Sequence, residues 1–329
     1  MKLIPMERIT IQTLLGIRFW DRLLERPVTD GLYVRAQRIS DDLTQRLGRV
    51  VIGQATGGGV IAFSGLHPAE RVSSDPADQM WENPPAPRFV VVDVVDRRER
   101  YLPLSFVVRI PLDERGPFRG RGNWLDEPLI FPPVPDGEEP GVYLWSAPGR
   151  PALDGRAMIY AQIVVGDGEE PEPAPYALVT VTAVISAPPA RGRGRGRNAA
   201  AAPGPLRYAG IADENGILTL PLPYPPVAEP EGDHYLPLRE QAFGLNVTVH
   251  YQPDQQTKLP GSDVPNLAAL LTQAQAQIGT HWNTDDPPAL QTDLTLEKSL
   301  RFGQPLILRT AFGSADADET ESFLRIVPV

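Results

Sequence analysis

Phe243-Gly-Leu-Asn-Val-Thr-Val-His-Tyr251 sets Phe243, Leu245, Val247, Val249 and Tyr251 on one side of an extended chain, with Gly244, Asn246, Thr248 and His250 on the other. A period of two is the signature of a β-strand that buries one face, and valine and aromatic side chains suit that pleated surface. The same pattern recurs outward from this stretch. Gly31-Leu-Tyr-Val-Arg-Ala-Gln37 alternates Leu32, Val34 and Ala36 against Tyr33, Arg35 and Gln37. Apolar runs bounded by turn residues predict further strands over 9–19, 59–63, 88–95 and 101–110 in the first third. In the remainder they fall at 142–145, 157–165, 176–185, 206–212, 217–220, 290–296, 305–310 and 322–327. Asp213-Glu-Asn-Gly216 predicts a tight turn with Gly216 at positive φ and 217–220 as the partner strand.

One helix is expected, over 264–278. Asp263 can cap it and Pro265 fits its first turn. Leu267, Leu270, Leu271, Ala274 and Ile278 follow helical spacing, and Gly279 supplies the stop. Long helices are otherwise disfavoured by 37 prolines and 29 glycines in 329 residues. Twelve of these prolines and glycines crowd 111–141, which reads as a linker arm between an N-terminal β-sandwich (1–110) and a C-terminal one (142–329). Arg191-Gly-Arg-Gly-Arg-Gly-Arg197 lies between two predicted strands, so 189–204 is read as a flexible excursion.

The absence of cysteine excludes disulfides, thiolate metal sites and cysteine nucleophiles. A net charge of -10 offers no general attraction to nucleic acid or anionic lipid. No apolar run is long enough for a membrane helix. Pro5, Glu7 and Arg8 interrupt the stretch where a signal peptide would need an apolar core, so the expected location is the cytoplasm.

Motifs that carry chemistry are missing. The histidines His67, His234, His250 and His281 form neither HExxH nor HxH, and no G-x-S-x-G elbow is present. Gly57-Gly58-Gly59 lacks the Lys-Ser/Thr of a phosphate loop and precedes a strand. Asn246-Val-Thr248 matches a glycosylation acceptor but falls inside a predicted strand. Asp285 and Asp286 are adjacent and would point to opposite sides of an extended chain. The acidic run 316–321 lacks the glycine of a calcium loop and reads as a charged hairpin. No catalytic residue, metal or cofactor is therefore expected.

What remains is binding. The large apolar groups of an arm too rich in proline to make its own core must pack on the chain's own sandwiches or on a partner, and Trp124 and Phe131 are the candidate partner contacts. Arg191, Arg193, Arg195 and Arg197 could dock on an acidic protein surface, or stay solvated. Without interleaved aromatics they make a poor nucleic-acid site.

Phe19-Trp-Asp-Arg-Leu-Leu-Glu-Arg-Pro-Val-Thr-Asp-Gly-Leu-Tyr-Val34 resembles the opening of transthyretin-like and carboxypeptidase-regulatory-like domains, where a first strand leads into a turn of the form PVxDGLxV. Ala177-Leu-Val-Thr-Val-Thr-Ala183, followed by 208–220, resembles the later strand and hairpin of the same plan, with Ile217-Leu218 where an aromatic is usual. The fold class expected is all-β, with two immunoglobulin- or transthyretin-like sandwiches joined by the proline-rich arm and one short helix in the second. Arg88-Phe-Val-Val-Val-Asp-Val-Val95, Arg100-Tyr-Leu-Pro-Leu104 and 300–309 also resemble accessory β-rich proteins of phage-tail-like contractile injection systems. That resemblance implies a non-catalytic structural subunit whose partners are other protein subunits, present in multiple copies. The alternative is a carbohydrate- or surface-binding adhesin, with Trp20, Trp81, Trp124, Trp145 and Trp282 as candidate sugar platforms.

Overall fold

A computed structural model describes residues 13–66, 88–110, 141–166, 170–184, 206–224, 241–283, 289–312 and 320–328. Residues 111–140 and 189–204, and with them Trp124, Phe131, Arg191, Arg193, Arg195 and Arg197, lie outside the described residues, as does Trp81. The described parts are all-β sandwiches. They divide into two compact units: Met1–Arg98, Pro103–Leu144 and Thr257–Ala268 form the first, and Glu99–Leu102, Trp145–Gln256 and Ala269–Val329 the second.

The first unit carries β1 (Thr13–Asp21), β2 (Arg26–Pro27), β3 (Leu32–Ile39), β4 (Arg46–Ile52), β5 (Gln54–Ala55), β6 (Val60–Ser64), β7 (Arg88–Asp96), β8 (Leu104–Ile110) and β9 (Gly141–Leu144). One sheet runs β2-β1-β6-β5, with β9 parallel to β1, and the other runs β4-β3-β7-β8. Between them Phe19, Phe63 and Phe106 are fully buried, and Phe19 meets Phe106 edge to face at 6.5 Å between ring centroids. The unbroken Val90-Val-Val-Asp-Val94 run is buried on both faces of β7, as a lack of alternation implies. Its inner side faces the sandwich. Its outer side is covered by residues 257–268, where Leu259 packs with Ile39 and Val91 and against Phe89 and Val107.

The second unit contains β10 (Arg156–Val165), β11 (Glu172–Pro173), β12 (Leu178–Val184), β13 (Leu206–Ile211), β14 (Ile217–Pro223) and β15 (Ala242–His250). These are followed by α1 (Leu267–Leu271), which straddles the division, then β16 (Gln277–Trp282), β17 (Leu290–Asp293), β18 (Leu296–Arg301), β19 (Leu306–Leu308), β20 (Ala311–Phe312) and β21 (Leu324–Val327). One sheet is β13-β12-β15-β18. The other follows β11-β10-β21-β16-β17, with β14 and β19 on β10 and β20 on β16. The alternation of 243–251 is realised: Leu245, Val247 and Val249 enter the core that also holds Ile159, Leu218 and Ile326.

Two local expectations are corrected. The helix covers Leu267–Leu271 and not 264–278. Asn266, not Asp263, caps it, its Oδ1 accepting from the Ala268 amide at 3.2 Å. The buried carboxamide of Gln273 ends the helix by accepting from the Gln252 amide and donating to the Leu270 and Tyr176 carbonyls. Ala276 and Ile278 then enter the core in extended chain, and Gly279, expected as a helix stop, lies inside β16. A spacing of four fits two strand periods as well as one helical turn, so these apolar residues satisfied either pattern.

The second correction concerns Asp213–Gly216, which does not join paired strands. β13 lies in one sheet and β14 pairs with β10 in the other, so the turn is a corner between sheets. Asp213 Oδ1 accepts from the amides of Asn215 and Ile217, both at 2.8 Å. Gly216 has φ 74° and its carbonyl accepts from the Ile163 amide at 2.8 Å, which knits the turn to β10. Asp30-Gly31 is a second such corner, leading from β2 in one sheet to β3 in the other with Gly31 at φ 76°. A Cβ on Gly216 would stand 2.4 Å from the Ile163 carbonyl oxygen. Gly216→Ala is therefore expected to cost about 2–3 kcal/mol through forced left-handed backbone and collision. Urea unfolding measures it, and a loss under about 0.5 kcal/mol would show that the corner gives way freely.

Candidate functional site

The described charged clusters are built from residues the strands bury. Asp93 sits midway along β7 on the outer face, and its register partner on β3 is Arg35. Arg35 donates Nε to Asp93 Oδ2 at 3.0 Å, Arg46 donates both terminal nitrogens at 2.7 and 3.1 Å, and Ser105 Oγ donates at 2.9 Å. Arg46 also donates Nε to the Pro260 carbonyl, so the cluster holds the covering segment through its backbone. Burial by itself raises the Asp93 carboxyl. Hydrogen bonds from Arg46 and Ser105, with the charges of Arg46 and Arg35, outweigh it and hold the group below the ordinary aspartate range.

A depressed folded-state pKa stabilises above the unfolded value, about 3.9 for aspartate, and that stability is lost as pH falls through the folded value. Through Asp93 the melting temperature should not vary with pH near neutrality and should fall in acid, beginning at about pH 5. Scanning calorimetry from neutral to acid pH checks this against Asp93→Asn, whose acid decline should be shallower. Equal slopes would refute the assignment.

A second cluster lies in the second unit. Glu321 accepts from Arg325 Nε through both carboxylate oxygens, at 3.0 and 2.8 Å, and Trp282 donates its indole nitrogen to the same carboxylate at 3.3 Å. The Arg325 guanidinium faces the rings of Trp282 and Phe323 at 5.2 and 5.1 Å. Glu321 thus belongs to the interior, although it closes the acidic run read as a hairpin loop. His250, at the end of β15, is buried as well, and burial holds its imidazole below the ordinary range despite a bond involving Gln273.

The sequence-selected residues fall as follows. Trp145 is buried. Trp20 is half-buried with the Arg18 guanidinium 5.9 Å from its ring centroid, and Trp282 is half-buried under Arg325. His281 shares a 3.0 Å contact with the Thr280 hydroxyl. His67, His234, Asp285 and Asp286 lie outside the described residues. Among the described residues no group of three or more His, Cys, Asp or Glu could hold a metal ion, and no helix is long and apolar enough to cross a membrane.

The surface feature that sequence reading missed is on the outer face of the β4-β3-β7-β8 sheet. Val50 and Ile52 on β4 are 48% and 55% exposed, and Val95 on β7 is 47% exposed. Register sets Ile52 opposite Arg35 and Val95 opposite Tyr33, so they share one end of the face with the half-buried Tyr33. Arg97 lies over the Tyr33 ring at 4.9 Å. The other end is the part that Leu259 covers. A lone aspartate inside a valine run was the available clue, because a buried carboxylate requires cations.

No protein-family model matches the chain, and no curated protein matches it in sequence. Among solved structures it is similar to GBS52, the minor pilin of the gram-positive pathogen Streptococcus agalactiae, at 8% identity over 93% of this chain and 86% of that chain. The TM-score is 0.19, too low to carry an argument about fold or function.

Proposed function

We propose that the chain is a non-catalytic structural subunit of a large multi-protein assembly, a particle of the phage-tail-like contractile injection kind. In this reading Trp124 and Phe131 of the proline-rich arm and Arg191, Arg193, Arg195 and Arg197 contact neighbouring subunits. The observation that carries it is the contrast between interior and surface. Asp93 with its arginines and Glu321 with Arg325 are committed to one another, whereas Val50, Ile52 and Val95 put aliphatic surface in water. Exposed aliphatic side chains beside arginines on one sheet face suit a protein contact.

Sedimentation of the tagged full chain from gently lysed native host tests the reading. The chain should travel with a multi-subunit particle that shows a contractile tail by electron microscopy. Replacing Trp124 and Phe131 together by Ser should release it while its melting temperature stays unchanged. A wild-type chain that sediments alone overturns the proposal.

A further inference from the structure

We infer that the uncovered end of the outer β4-β3-β7-β8 face receives an extended, proline-containing segment of a partner protein that carries both aliphatic side chains and carboxylates. The covered end shows what this face accepts. There a stretch of this chain, 257–268, seats Leu259 on Ile39, Val91, Phe89 and Val107. Its Pro260 carbonyl takes the Arg46 guanidinium, and Asn266 bridges to Ser105 on β8. The face thus holds an apolar knob and an oxygen acceptor, without adding a full strand.

The uncovered end repeats that chemistry with a stronger charge. Ile52 and Val95 supply the apolar seats. Arg35 gives Asp93 only its Nε, and 39% of its side chain is exposed. Arg97 is exposed and lies over Tyr33. The carboxylates nearest in the strands, Asp93 and Asp96, are buried, and Asp30 pairs with Arg98. Along the strands of this end the exposed charge is the guanidinium of Arg35, with Arg97 just beyond β7, and its complement is a carboxylate.

The inference rests on the scaffold reading in assuming that a partner exists, but its test does not. The probe is a fluorescein-labelled peptide of Leu-Pro-Glu repeats, patterned on Leu259-Pro260, with a Leu-Pro-Lys version as control. Both are titrated with the full chain and read by anisotropy. The glutamate peptide should bind, weaken with salt, and exceed the lysine peptide by about tenfold or more. Ile52→Glu with Val95→Glu should abolish the difference at unchanged melting temperature. Should that pair disturb folding, Val95→Ser alone should still weaken binding measurably. Equal binding of both peptides, no binding up to about 1 mM, or wild-type affinity in a folded variant overturns the site. A chain that fails here yet sediments in a particle loses only the docking site. One that binds the peptide yet sediments alone loses only the scaffold role.

Discussion

Glu321→Ala should destabilise the second unit by about 3–5 kcal/mol, the cost of leaving one member of a buried ion pair without the other. The Arg325 and Glu321 side chains are only 5% and 7% exposed, and the guanidinium cannot shed its proton to escape. Its Nη1 bond to the Gly166 carbonyl and its two aromatic neighbours do not replace a carboxylate. Were the pair at the surface, the loss would be about 0–1 kcal/mol. Replacing both together, Glu321→Leu with Arg325→Met, should recover most of the loss, since no charge then remains buried. Denaturant unfolding of the three proteins decides it. A single-variant loss near the surface value would mean that water reaches Arg325, and a double variant as unstable as the single would place the stability in packing instead.

Asp93→Ala should cost the first unit about 3 kcal/mol, at the lower end of the same range because Arg35 is partly solvated and can turn outward. Arg46, with 13% of its side chain exposed, has less freedom. Without Asp93 it has no carboxylate to fix it under Pro260, so amide protection in 257–268 should fall before protection in β3 and β7. Hydrogen exchange resolved by peptide reads that order. Ser105→Ala, which removes one hydrogen bond to a carboxylate, should cost about 1.5–3 kcal/mol at most. Uniform loss of protection throughout the unit would show that the cluster supports the sheet and not the covering segment.

Much of the fold was legible because half-buried strands write their faces into the chain. Val34 and Ala36 point inward as the alternation of 31–37 requires, and so do Leu245, Val247 and Val249. β4 was missed because Arg46-Leu-Gly-Arg-Val-Val-Ile52 contains a glycine and two arginines, pairs with β3 through a register shift, and buries Val51 alone. The site was less legible. Leu259 is one leucine between a lysine and a proline, and it matters only because Ile39 and Val91, far earlier in the chain, await it. Glu321 carried the appearance of a solvent-loop acid, and only Arg325 four residues on, with Thr310 and Trp282 from other parts of the chain, makes it an interior residue.

By itself the sequence determined that this chain is β-structured, which residues face inward along its main strands, and where its turns fall. Those properties depend on neighbours one to four residues apart, through side-chain alternation and the backbone freedom of glycine. Tertiary structure alone decided that Asp30-Gly31 and Asp213–Gly216 change sheets, that 257–268 joins the first unit, and that Asp93 and Glu321 find their arginines. Pairing of strands, closure of a face and neutralisation of a buried charge depend on groups far apart in the chain, and no local pattern encodes which distant partner will arrive.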